Sequence, residues 1–170
     1  MKKILLILLL CSSIFAAQKP HDLLNDISKH SIDIGTGKTN EVYVFVDPLC
    51  KYSKKFITKI SENRMLQLIN TYHIFLYELP KLKSSKHIQH IYQSKDKKEV
   101  LLSIMVDEED VDISELVIDS NQTQVIEKIS LVAESLKIKR RPYMIVYEGD
   151  TGYCRVSEGE APCMEEFDFE

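Results

Sequence analysis

Two apolar rhythms alternate along the chain. The unbroken run Val42 to Val46, β-branched and aromatic, has the make-up of a buried strand and stops at Asp47-Pro48. Past it, Ser53 opens a Lys-rich segment in which Phe56 and Ile60 stand at helical spacing, which predicts a helix from Ser53 to about Leu68. A second β-type run, Tyr72 to Tyr77, ends at Leu79-Pro80. Strand, helix, strand in this order requires a right-handed crossover and a parallel pair.

Helical rhythm then takes over. Ser84-Ser85 caps a segment through Tyr92, and Ser94-Lys95-Asp96 opens another with Val100, Leu101, Ile104 and Met105 on one stripe. Asn121 is expected to cap an amphipathic helix carrying Val125, Ile126, Ile129, Val132 and Leu136. After Lys139-Arg140-Arg141-Pro142, the runs Tyr143 to Tyr147 and Tyr153 to Val156 flank Gly149-Asp150-Thr151-Gly152 and read as an antiparallel hairpin. Before the first strand, His21 to Ile27 suits a short helix and Ile34-Gly35-Thr36-Gly37 is turn chemistry, so residues 18–40 are expected as an arm. A core domain is expected over 41–157, with an acidic tail over 158–170.

Composition narrows the class. At 170 residues and 44% apolar content the chain suits one domain with ancillary segments. A net charge of −4, and Arg at four positions without interleaved aromatics, gives no nucleic-acid signature. Lys2-Lys3, the apolar stretch Ile4 to Leu10 and the small-residue exit at Ala16-Ala17 have the form of a secretory signal peptide over residues 1–17, with a retained anchor as the alternative. Export places the remaining cysteines in an oxidising compartment.

Those are Cys50, Cys154 and Cys163, an odd number. Cys154 and Cys163 are close enough in sequence to close a short loop and leave Cys50 free; a Cys50–Cys163 pair is the other possibility. Cys50 sits at a strand-to-helix turn, where unpaired backbone N–H groups and the helix dipole favour the thiolate form of a cysteine. Lys51 and Arg141 are expected to add positive charge beside it.

Phe45-x-Asp47-Pro48-x-Cys50-x-Tyr52-Ser53-Lys54-Lys55 resembles the active-site segment of the periplasmic Dsb-type disulfide isomerases, the DsbC and DsbG group. Tyr77-Glu78-Leu79-Pro80 and Ile91-Tyr92-Gln93-Ser94-Lys95-Asp96-Lys97 are similar to that family's segment after its second strand, and Arg141-Pro142 resembles its cis-proline loop. The resemblance covers about residues 41–156. It implies an α/β fold of thioredoxin type with a helical insertion between strands, and thiol–disulfide exchange on protein thiols and disulfides of exported proteins. It assigns Cys50 as nucleophile, Pro142 as the residue presenting substrate backbone, and Lys51, Tyr52 and Arg141 as groups that tune or bind.

The sequence departs from that family in places that shape the chemistry. Cys50-Lys51-Tyr52-Ser53 stands where the family has Cys-x-x-Cys, so Ser53 takes the resolving position, as a hydrogen-bond donor. A mixed disulfide on Cys50 would have to be released by a thiol of the substrate or of a redox partner protein. Val44 stands where thioredoxins and DsbA-like oxidoreductases resemble one another in a buried acid, Gln93 stands at a position resembling a structural cysteine, and residues 18–40 are too short for the isomerases' dimerisation domain. No cofactor is required beyond redox exchange.

Other chemistry is weaker. His87 and His90 share a helix face but lack a third ligand at a matching spacing, so a solvated face is expected and no metal. Asp107-Glu108-Glu109-Asp110 lacks the Gly and closing Glu of a calcium loop. Asp47 is a candidate base for Cys50 or plain turn chemistry. The expected function is thus an exported thiol:disulfide oxidoreductase or isomerase-like protein using one cysteine. The alternative is a non-catalytic binding protein that docks a partner chain around Tyr52 and Pro142.

Overall fold

The computed structural model describes residues 20–148 and 154–158. The signal peptide, the hairpin turn, Cys163 and the acidic tail lie outside the described residues, as does the side chain of Cys154.

The chain runs α1 (Pro20–Ser28), β1 (Ile32–Ile34), β2 (Asn40–Val46), α2 (Lys51–Glu62), α3 (Arg64–Ile69), β3 (Asn70–Leu76), α4 (Ser85–Gln93), α5 (Lys97–Met105), α6 (Ser120–Ser135), β4 (Tyr143–Glu148) and β5 (Cys154–Glu158). Five strands form one sheet in the order β1-β3-β2-β4-β5. β2 lies at its centre, parallel to β3 with Val46 opposite Leu76, and antiparallel to β4 with Phe45 opposite Tyr143. A strand covered on both faces needs apolar residues at every position, and Val42 to Val46 are all buried. The parallel pair and the β4–β5 hairpin therefore stand as the apolar pattern predicts.

The stretch expected as an arm belongs to the body of the fold. Leu24 and Ile27 of α1 enter the core, and β1 pairs antiparallel with β3. The alternation Ile32-Asp33-Ile34 is only three residues long, too short to stand out from the adjoining turn. That turn passes so close to α3 that a Cβ on Gly37 would lie 2.0 Å from the Ile69 carbonyl carbon.

The helix expected from Ser53 to Leu68 is two helices. Asn63 leaves helical geometry, and its side chain accepts the Leu66 N–H at 3.1 Å, capping α3. The inserted block α4–α6 packs against the sheet and α2 through Ile88, Ile91, Tyr92, Leu101, Ile104 and Ile129. Tyr92 is wholly buried, and its hydroxyl accepts the Leu76 N–H at 3.2 Å. α5 and α6 are capped by Asp96 and Asp119, the latter in place of the expected Asn121.

This arrangement brings three chain segments to one end of the sheet. β2 and β3 both finish there, and antiparallel β4 begins there. The segments are 47–55, 77–87 and 139–143.

Candidate active site

The site grows from Asp47, the residue after β2. Its carboxylate is fully buried, a costly position for an acid unless every oxygen is paired. One oxygen accepts the Leu49 N–H at 2.8 Å, turning the chain back over Pro48. The other accepts the Leu79 N–H and, at 2.8 Å, the Ser84 hydroxyl. Asp47 thereby ties the segment after β2 to the segment after β3. With both oxygens engaged in this way it serves as the anchor of the turn.

Held by that turn, Cys50 donates its backbone N–H to the Asp47 carbonyl at 3.0 Å and becomes the N-cap of α2, with φ −79° and ψ 120°. The helix thus starts at Lys51 and not at Ser53. The Cys50 backbone carbonyl opens the ladder by accepting the Lys54 N–H at 2.9 Å, while its side chain makes no cap bond. The thiol instead lies 3.8 Å from the carbonyl oxygen of Arg141, its contact across the sheet end, and Cys50 is 7% exposed. Among the described residues Cys50 is the free cysteine.

The opposing wall is Arg141-Pro142, joined by a cis peptide bond. Pro142 is buried beside the start of β4. Arg141 is 3% exposed, so the positive charge expected beside the thiol is an interior one. Its guanidinium donates to the carbonyls of Tyr77 and Glu78, both at 3.0 Å, and lies 3.8 Å from the centre of the Tyr77 ring. Burial pushes its pKa down from the usual arginine value, opposed by the fields of Tyr77, Asp47 and Cys50. Arg141 thus clamps the post-β3 segment and directs its own carbonyl at Cys50.

Ser53 is fully buried in the first turn of α2, and its hydroxyl oxygen accepts the Asp47 N–H at 3.3 Å. It was expected to act as a donor; in this bond it is the acceptor and braces the turn. The Lys51 ammonium lies 4.7 Å above the Tyr52 ring, with Lys51 exposed and Tyr52 half-buried. Cys50, Ser53 and Arg141-Pro142 are therefore brought together, with Lys51 and Tyr52 at the rim. The proposed Cys154–Cys163 bridge lies outside the described residues; only the Cys154 backbone is described, opposite Tyr147.

Sequence reasoning missed the pairing of Asp47 with Ser84, which was expected as an α4 cap and makes no cap bond. The available signal was an acid directly continuing a wholly buried apolar run. It also missed that Glu108, in the acidic loop after α5, reaches Lys54 of α2 at 3.7 Å. His87 is half-buried with its Nδ1 unpaired, and burial pushes its pKa down. Among the described residues no group of three or more His, Cys, Asp or Glu is placed to hold a metal ion.

A central sheet of this order, with a cysteine at the first turn of the helix after the middle strand and a cis-proline facing it, is the thioredoxin-like arrangement. Solved structures agree on the fold. The disulfide interchange protein from Neisseria gonorrhoeae is similar with a TM-score of 0.60 at 16% identity, over 82% of this chain and 93% of that one. DsbA2 from Pseudomonas aeruginosa gives 0.62 at 14% identity, over 78% and 87%. ScsC from Proteus mirabilis in a compact conformation gives 0.61 at 16% identity, over 89% and 78%. By sequence, no family model and no curated protein matches the chain.

Proposed function

We propose that this protein is an exported, periplasmic thiol–disulfide exchange protein that acts through the single cysteine Cys50. The observation that carries this reading is the placement of the Cys50 thiol at the N-terminus of α2, 3.8 Å from the backbone carbonyl that precedes cis Pro142. Helix N–H groups and the dipole favour negative charge on sulfur, and the apposed Arg141-Pro142 backbone offers an edge along which an extended peptide can lie. The likeness to a disulfide interchange protein and to DsbA2 supports the same reading.

The chemistry balances without a cofactor. The Cys50 thiolate attacks one sulfur of a substrate disulfide, forming a mixed disulfide and expelling a substrate thiolate. That thiolate, or a different one of the same substrate, then attacks the mixed disulfide and expels Cys50 as thiolate. The substrate leaves with rearranged disulfides and no net change in oxidation state. Ser53 cannot expel the substrate, so net oxidation or reduction requires a partner thiol or disulfide. This favours isomerisation, as in the DsbC and DsbG group that the active-site segment resembles.

The near-complete burial of Cys50 favours a second reading, in which the groove beside Tyr52 and Pro142 docks a partner chain and Cys50 does not turn over. Refolding of scrambled ribonuclease separates the two. Exchange predicts faster recovery of ribonuclease activity with the wild type than with Cys50→Ala. Equal recovery with the two proteins refutes it and leaves the docking reading.

A further inference from the structure

The three segments that meet at the Cys50 end of the sheet differ in charge from the chain as a whole. The chain has 22 Lys and Arg against 26 acids. Segments 47–55, 77–87 and 139–143 hold nine of the basic residues and only two of the acids, Asp47 and Glu78. Asp47 lies inside, and Glu78 together with Glu108, which reaches Lys54 from the loop after α5, offsets part of this charge and leaves the basic residues in excess. Lys51, Lys55, Lys81, Lys83, Lys86 and Arg140 are exposed around the site. A local excess of basic residues on an acidic chain sets up a field opposite in sign to the net charge.

From this we infer that the rim of the Cys50 site is a docking surface for acidic polypeptide segments that carry the exchanging disulfide. The inference rests on the exchange reading above and adds the substrate class. The chain itself supplies an example of the recognition. Its acidic loop lies against this end, with Glu108 3.7 Å from Lys54 and Asp110 acting electrostatically on His87. That pairing uses one side of the rim and leaves the lysines of segment 77–87 facing solvent. Stacking on Tyr52 holds the Lys51 ammonium at the mouth of the site, where an incoming carboxylate would meet it.

The test is the rate at which Cys50 opens disulfide-linked dimers of short peptides in which one Cys is flanked by Asp, by Ser or by Lys. Each rate is divided by that of N-acetylcysteine amide, whose thiol carries no other charged group, with the same peptide, which removes the peptide's own reactivity. The Asp peptide is expected to react roughly tenfold faster than the Lys peptide at low salt. The preference should collapse between about 0.01 M and about 1 M salt, as the screening length falls from ~30 Å to ~3 Å. Lys81→Glu should cut the preference roughly two- to threefold, whereas the same change at Lys38, at the opposite end of β2, should not. Equal rates for the three peptides at low salt overturn the inference while leaving exchange intact. If no peptide reacts, exchange itself fails, and binding of a cysteine-free Asp-rich peptide to Cys50→Ala protein then decides the rim: salt-sensitive binding upholds it and none overturns it. Tighter binding to phosphatidylglycerol vesicles than to that peptide overturns the assignment to polypeptides.

Discussion

Replacing Asp47 with Ala removes the acceptor for the Leu49 N–H, the Leu79 N–H and the Ser84 hydroxyl at once. A hydrogen bond to a charged group contributes about 1.5–3 kcal/mol net, and a buried donor left without its acceptor costs about 1–3 kcal/mol. The two backbone donors are only part-buried and can recruit water, so each belongs near the low end, about 1 kcal/mol. The Ser84 hydroxyl is buried and belongs nearer ~2 kcal/mol. Burial of the carboxylate has its own desolvation cost, which the substitution relieves, so the sum is an upper figure. A loss of about 3–4 kcal/mol is expected, equivalent to a fall of roughly 6–16 °C in Tm for a domain of this size. Urea unfolding followed by far-UV circular dichroism measures it, since the chain contains no Trp. Ser84→Ala alone should cost about 1–2 kcal/mol, and adding it to Asp47→Ala should cost almost nothing more, because both remove the same bond. A loss below about 1 kcal/mol for Asp47→Ala, or full additivity with Ser84→Ala, would refute the anchor.

Two further outcomes follow from groups around the site and at the sheet edge. Arg141→Lys keeps the charge but cannot reach the Tyr77 and Glu78 carbonyls with a planar fork, so about 2–3 kcal/mol of stability should be lost, read in the same urea assay. A loss within experimental error would show that the clamp is not structural. At the β1–β3 edge, the hydrogen bond from His73, 2.9 Å away, holds the Asp33 carboxyl below its usual range, helped by Ser31. A depressed carboxyl stabilises the fold above its unfolded value, near 3.8, and that contribution is lost as pH falls through the lower folded value. Asp33→Asn should therefore be less stable than wild type at pH 5 and converge with it in strong acid; parallel acid limbs would contradict the assignment.

What the sequence displayed depended on how locally each feature is determined. The run Val42 to Val46 carries its own signal because both faces of β2 are covered, and Cys50 follows from the turn that ends the run. The apposition of Arg141-Pro142 could be expected from element order and family resemblance, since β4 must start at the end of the sheet where β2 stops. β1 escaped notice because two isoleucines around one Asp give no period to measure. The helix start moved to Lys51 because the Asp47 turn delivers Cys50 directly into the N-cap position, a geometry set by bonds to Leu79 and Ser84 far along the chain. The burial of Arg141 could not be read because nothing near it in sequence announces the two carbonyls that receive its guanidinium. The basic rim is dispersed over three segments, each unremarkable alone; only the sheet order assembles them.

The proposed chemistry requires that Cys50 forms and releases a disulfide with a peptide. The direct measurement is to mix the protein with a disulfide-linked peptide, quench with acid at short times, and map the adduct by mass spectrometry. Exchange through Cys50 predicts a mixed disulfide that accumulates, and disappears when the free peptide thiol is added, with Cys50→Ala showing none. A Cys50 that stays unmodified while the peptide disulfide remains intact would contradict it.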